Sequence, residues 1–251
     1  MRVVLSRPAY FLLFLWSLIS VVARGQSMVT IHHQVTLGDA KVVLGEWQKS
    51  DSLVSIRIDK LRWYVSLPPS NGVADIEKSG SKHKNIAQSK SAGKTGSKAW
   101  LLDLSDSSSL DQIYLYPTLS GPGNFNISLL FGIDSAIQMG GVGTGALDPV
   151  RGMYWTWQTG YVQWKMEGAI RVNGIEHPLE LHLGGFDGAT KAQAMLSDYL
   201  VKPTTNSVIA QWDLMPFIAQ ILNQKKYGVM SPSPIAREYC RIIASSVTFH
   251  Q

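Results

Sequence analysis

Six histidines and a single cysteine are the side chains of this 251-residue chain that could hold a transition-metal ion. His83 falls in a Lys- and Ser-rich stretch, His250 next to the last residue, and His177 before a proline. His32, His33 and His182 instead fall in strand-forming sequence. Neutral imidazoles meeting inside a β structure, with no cysteine and little carboxylate beside them, would suit copper or zinc better than calcium. His32 and His33 are adjacent, so a strand points them to opposite faces, which argues against both holding one ion. His33 shares its face with Val29, Ile31, Val35 and Leu37, whereas His182 shares a face with Glu180, opposite Leu181 and Leu183. Spacing does not decide whether any two of them meet. Taken singly, each reads first as a structural histidine with satisfied ring nitrogens.

Other chemistry is thinly represented. No glycine-rich phosphate loop precedes a helix, and no Gly-x-Ser-x-Gly nucleophile turn occurs. The pairs Asp103/Asp106 and Asp134/Asp148 have no surroundings that would raise a carboxyl pKa, and Asp148 precedes a proline as turn formers do. The expectation is a binding protein and not an enzyme. Cys240, the one cysteine, excludes an intrachain disulfide and reads as a small buried apolar residue.

The elements that must position these residues are short strands. Val29 to Leu37, Lys41 to Leu44, Leu53 to Leu67, Ala99 to Leu104, Ile113 to Tyr116 and Phe125 to Ile133 read as strands between Gly, Pro and Asp turns. The stretch from Gly145 to Gly168 holds three of the eight tryptophans and reads as an aromatic core hairpin, Met153 to Trp157 and Tyr161 to Glu167. Asn173-Gly174 is a two-residue hairpin turn leading into Leu179 to Leu183. Ala189 to Leu200 reads as a short helix or the start of a strand, and Ser207 to Leu214 as a strand. Helices are expected at Pro216 to Gln224 and Ile235 to Ala244, the second opened by proline. Many strands and few, late helices predict a mainly β chain: one antiparallel β-sandwich domain, residues 26–251, with short C-terminal helices.

Residues 1–25 read as a secretory signal peptide. Arg2 and Arg7 precede an apolar run from Tyr10 to Ala23, and Ala23-Arg24-Gly25 suits cleavage before Gln26. Such a run is short for a bilayer span and no later stretch is longer, so an exported chain, periplasmic or extracellular, is expected with no membrane span after cleavage. Residues 70–98 form a Lys/Ser/Gly-rich insertion expected to be flexible. The insertion, with six lysines against Asp75 and Glu77, and the three arginines of the signal region carry more than the net charge of +5, leaving the rest slightly acidic. A nucleic-acid partner is therefore not expected, since that needs a basic face on the folded domain. The insertion supports a rival reading, a metal-free secreted β-sandwich that presents its basic loop to an acidic partner.

The string Gly145-Ala-Leu-Asp-Pro-Val-Arg-Gly-Met-Tyr-Trp-Thr-Trp-Gln-Thr-Gly-Tyr161, with Lys165-Met166-Glu167-Gly168 after it, strongly resembles the signature of the MbnP-like family. Agreeing segments in order are Ile31 to Val35, Leu61 to Ser66, Trp100 to Asp103, Phe131 to Asp134, His182 to Gly185 and Val229 to Pro232. The resemblance implies a secreted β-sandwich that binds copper as Cu(I), using histidines and a kynurenine made from a tryptophan. It also implies a partner, a diheme cytochrome c peroxidase-like protein, that performs the oxidation. Carried over by motif, His33 and His182 are the implied copper ligands. Trp63, Trp100, Trp155, Trp157 and Trp164 are all candidates for the modified tryptophan. This chain has Leu101 and Leu102 in the Trp100 to Asp103 strand, where some relatives carry histidine.

Overall fold

The computed structural model describes residues 26–68, 98–117, 124–202 and 204–251. The expected signal peptide, the insertion apart from Lys98, His83 and the expected Gly121-Pro122-Gly123 turn lie outside the described residues. The strands are β1 (Gln26–Leu37), β2 (Ala40–Lys41), β3 (Trp47–Lys49), β4 (Val54–Ser66), β5 (Ala99–Asp103), β6 (Asp111–Pro117), β7 (Phe125–Ile127) and β8 (Leu130–Phe131). After helix α1 (Ser135–Met139) come β9 (Tyr154–Thr156), β10 (Gly160–Val172), β11 (Ile175–Gly184), β12 (Ala194–Met195), β13 (Tyr199–Val201) and β14 (Ser207–Asp213). The chain ends with α2 (Met215–Gln224), β15 (Gly228–Val229), α3 (Pro234–Ser245) and β16 (Val247–His250).

Two sheets pack face to face. The first runs β16-β14-β1-β2, with β6 also on β1; the second is centred on β4, β10 and β11. The first sheet is mixed and not purely antiparallel, because β1 and β14 pair in parallel. That pairing needs a long crossover, and here all of the second sheet except β15 lies between the two strands in sequence. β15 also joins β11 in parallel.

Alternation assigns the faces as the sequence implied. On β1, Val29, Ile31, His33, Val35 and Leu37 are buried. On β14 it is Val208, Ala210 and Trp212, and on β4 Val54, Ile56, Ile58, Leu61, Trp63 and Val65. The three-residue step from Ile58 to Leu61, in place of two, marks a bulge: Glu167 of β10 pairs with Lys60 and Gly168 with Ile58, leaving Asp59 as the extra residue. The bulge keeps both halves in one strand and both apolar sets facing in.

The expected helices are present. Ser233 caps α3 through the N–H of Ala236, with Pro234 in the first turn. Phe217, Ile218 and Ile221 of α2, and Tyr239, Cys240 and Ile243 of α3, are buried in the same core. The Ala189 to Leu200 region resolves into the short strands β12 and the start of β13. Strand β16 was not anticipated.

The aromatic hairpin differs most from expectation. Its tip is outside the core, with Trp157 81% exposed, while Tyr154 and Trp155 only lean on a second, smaller cluster. That cluster, Tyr64, Ala99, Ile133, Leu147, Met153, Tyr161 and Val162, covers the other face of the second sheet beneath residues 132–159. A three-residue strand joined by a tight turn cannot bury both faces, so the hairpin forms a rim.

Gly168 faces a tight constraint at the bulge, since a Cβ there would fall 2.0 Å from the carbonyl oxygen of Arg57. Gly168→Ala is expected to lower stability by about 3 kcal/mol through overpacking, read as a shifted urea midpoint. An unchanged midpoint would show that the β4–β10 bulge is not this close.

Candidate functional site

His33 is held by the core and not by solvent. Its Nε2–H donates to Gln112 Oε1 at 3.1 Å, and its Nδ1 accepts from the indole N–H of Trp212 at 3.0 Å. Gln112, at the start of β6, lies opposite Ile31, and Trp212 on β14 lies beside Val35. With an indole donating to Nδ1 the ring is fixed as the neutral Nε2–H tautomer. Burial pushes the His33 pKa down from 6.5 to about 4, against the weaker opposing pull of Gln112 and Asp111.

Trp212 links this imidazole to a tryptophan cluster between the sheets. Its ring centroid is 5.9 Å from His33, 5.3 Å from Trp63, 6.3 Å from Trp164 and 5.8 Å from Phe131. Trp63 and Trp164 are paired across β4 and β10 with centroids 5.5 Å apart. All three indoles are fully buried, yet only that of Trp212 has a hydrogen-bond acceptor; Trp63 Nε1 and Trp164 Nε1 have none. Gln112 Nε2 is likewise buried without a partner. Trp100 is half-buried against the same core. Trp155 crosses to the opposite side and packs over Gly184, where a Cβ would fall 2.7 Å from its ring.

His182 occupies a different setting. Leu181 and Leu183 enter the core, so His182 faces away from it, beside Lys165 of β10. Its Nε2 bonds Glu167 Oε1 at 2.9 Å, and Glu167 also receives Lys60 at 2.7 Å and Lys165 at 3.2 Å. Burial lowers the His182 pKa, with the Glu167 hydrogen bond opposing. Desolvation would raise the Glu167 carboxyl, but the bonds from Lys60, His182 and Lys165 outweigh it and hold it down at about 2. The same group anchors the neighbouring turn: Lys165 donates to the Gly152 carbonyl at 3.3 Å and Arg62 to that of Arg151 at 3.0 Å.

The remaining candidates serve local structure. His32 bonds Asp111 at 2.8 Å on the exposed face of the first sheet. Asp106, Asp134 and Asp148 each cap a helical turn, and Asp103 pairs with Arg62 at 2.7 Å. His177 stacks on Tyr227 at 4.4 Å.

The sequence model of the family described as MbnP matches residues 26–231. The chain belongs to the MbnP family. Among solved structures it is similar to MbnP from Methylosinus trichosporium, at 13% identity over 78% of each chain, with a TM-score of 0.44. No curated protein matches.

The structure does not bring together the two histidines expected to share an ion: His33 faces inward between the sheets, His182 outward from the far sheet. Among the described residues, no three His, Cys, Asp or Glu side chains gather as potential ligands. Both His33 nitrogens are engaged, and the nearby unpartnered indole and amide groups are donors, which do not complement a cation. Gln112 and Trp212 were missed in the sequence. Neither has a spacing signal, because their relation to His33 arises only from sheet pairing.

The titrations of His33 and Glu167 separate by pH. The folded His33 pKa is below its unfolded value, so the unfolded state takes up the proton first; that stability is full above pH 6.5 and declines towards pH 4. A loss of about 3 kcal/mol across that window is expected, absent in His33→Gln. Glu167 adds a second loss as pH falls from 4.5 towards 2, absent in Glu167→Gln. Denaturant melts from pH 8 to 3 would read both. Trp212→Phe, which leaves His33 Nδ1 without its donor, is expected to cost roughly 3 kcal/mol. His32→Ala should stay within about 0.5 kcal/mol.

Proposed function

We propose that this MbnP-family chain is an exported copper-binding protein whose site is centred on His33 and completed by an oxidised tryptophan of the adjoining cluster. The oxidation is assigned to a partner diheme cytochrome c peroxidase-like protein. The observation that carries the reading is a neutral, buried imidazole in direct contact with Trp212, which packs on Trp63 and Trp164. Family membership supports the association with methanobactin.

The encoded side chains do not complete a ligand set, so the reading depends on covalent change. Conversion of an indole to kynurenine cleaves the C2–C3 bond, takes two oxygen atoms from the oxidant used by the partner and, with one water, sheds C2 as formate, leaving an aniline amine and a ketone. The ketone oxygen would give the donor-rich cluster an acceptor, which Trp63 and Trp164 lack. Trp157, at the exposed rim, and Trp155, on the other side of the second sheet, are removed from His33. Trp100 borders the core beside Leu102, which fills with an apolar side chain the position two residues on. His182 is not needed as a ligand in this reading.

The test is to export the protein with and without the diheme partner and measure copper content and mass. With the partner, peptide mapping is expected to find oxidation at Trp63, Trp164 or Trp212, and copper retention that is lost in His33→Ala and kept in His182→Ala. An unaltered mass together with equal copper in wild type and His33→Ala would overturn the proposal. Oxidation confined to Trp155 or Trp157 would overturn the assignment to the inter-sheet cluster.

A further inference from the structure

A second buried polar group lies under the 132–160 segment, apart from His33. Asp134, Gln138 and Gln193 are 1%, 6% and 8% exposed. Asp134 Oδ1 caps α1 by accepting from Ala136 and Ile137, but its Oδ2 has no partner. Gln138, one helical turn on, accepts the Tyr161 N–H through Oε1 at 3.0 Å, and its Nε2 has no partner. Gln193 donates through Nε2 to Ser135 Oγ at 2.8 Å, and its Oε1 has no partner. Glycines make the room: a Cβ at Gly160 would fall 2.5 Å from Gln138 Oε1, and one at Gly132 3.3 Å from Gln193 Cβ.

We propose that these three side chains enclose one bound water, which latches the 132–160 segment onto the second sheet. The unpartnered atoms are two acceptors, one of them a carboxylate oxygen, and one N–H donor. A water donates twice and accepts, so a single molecule answers all three, and about three bonds is the usual complement of a buried water. A cation would satisfy the two oxygens but oppose the Gln138 N–H. An apolar filling would leave every one of them bare. The molecule joins two separate pieces of chain, α1 with its cap and the segment before β12, and Gln138 extends the link to the start of β10. Above it, the Tyr161 hydroxyl accepts from Gly143 and donates to Leu147, each at 2.8 Å, and Tyr64 donates to Ala146 at 2.8 Å. The water therefore leaves only when this cover opens, and its residence time reports that opening.

The experiment is water-to-amide magnetisation transfer on the ¹⁵N-labelled mature chain, read at Ala136, Ile137 and Tyr161. Long-lived water cross-peaks are expected there, and Gln193→Met should abolish them and speed limited proteolysis within 140–159 several-fold. The wild-type spectrum decides alone if the variant does not fold. Absence of the cross-peaks would overturn the proposal. So would a crystal structure with Gln193 bonded directly to Asp134, or with an ion at calcium–oxygen distances of about 2.3–2.6 Å.

Discussion

The hydrogen bond from Trp212 to His33, made within the first sheet, sets the ring that packs across the core onto the second. His33 brings a polar ring into an interior otherwise made of Ile, Leu, Val and Trp, and without partners that ring would be costly to bury. Gln112 and Trp212 supply both partners from neighbouring strands of the same sheet. Trp212 then projects across the gap onto Trp63 and Trp164 of the opposite sheet. Satisfying the imidazole and packing the sandwich are therefore the same arrangement, and the neutrality of His33 follows from it.

The two faces of the second sheet have separate work. The inward face carries Trp63, Trp164 and the core. The outward face carries, at one end, the ion cluster of Lys60, Lys165, Glu167 and His182, and at the other the small tyrosine-centred core under the 132–159 segment. Adjacent residues of β4 show the division: Trp63 enters the tryptophan cluster while Tyr64 bonds the Ala146 carbonyl on the opposite side. The glycine-rich signature is held down by the ion cluster through the Arg151 and Gly152 carbonyls, and by Tyr64 and Tyr161 through their hydroxyls. A sequence-specific signature on a rim has a mechanical reason here: tight turns need its glycines, and polar side chains from the sheet need its carbonyls.

Much of the fold was legible because period-two alternation is strong in β1, β4, β10 and β14. Glycine, proline and Asn-Gly punctuation located most turns, and Ser233-Pro234 announced α3. The hairpin was misjudged because composition suggests burial for tryptophan but says nothing of whether both faces of a strand are covered. Trp157 is exposed because nothing among the described residues packs beyond the rim. The mixed pairing of the first sheet was not legible either, since β1 and β14 are far apart in sequence and parallel partners leave no local signal.

For the candidate site, the sequence by itself determined which faces the histidines occupy: His33 with the apolar side of β1, His182 with Glu180 on the polar side of its strand. It also determined, through its signature, the family. Only the tertiary structure decided that these faces look in different directions, that Trp212 and Gln112 close on His33, and that Glu167 claims His182. The reason is physical: alternation along one strand fixes inward against outward, whereas the partner of a buried nitrogen depends on which distant strand pairs alongside.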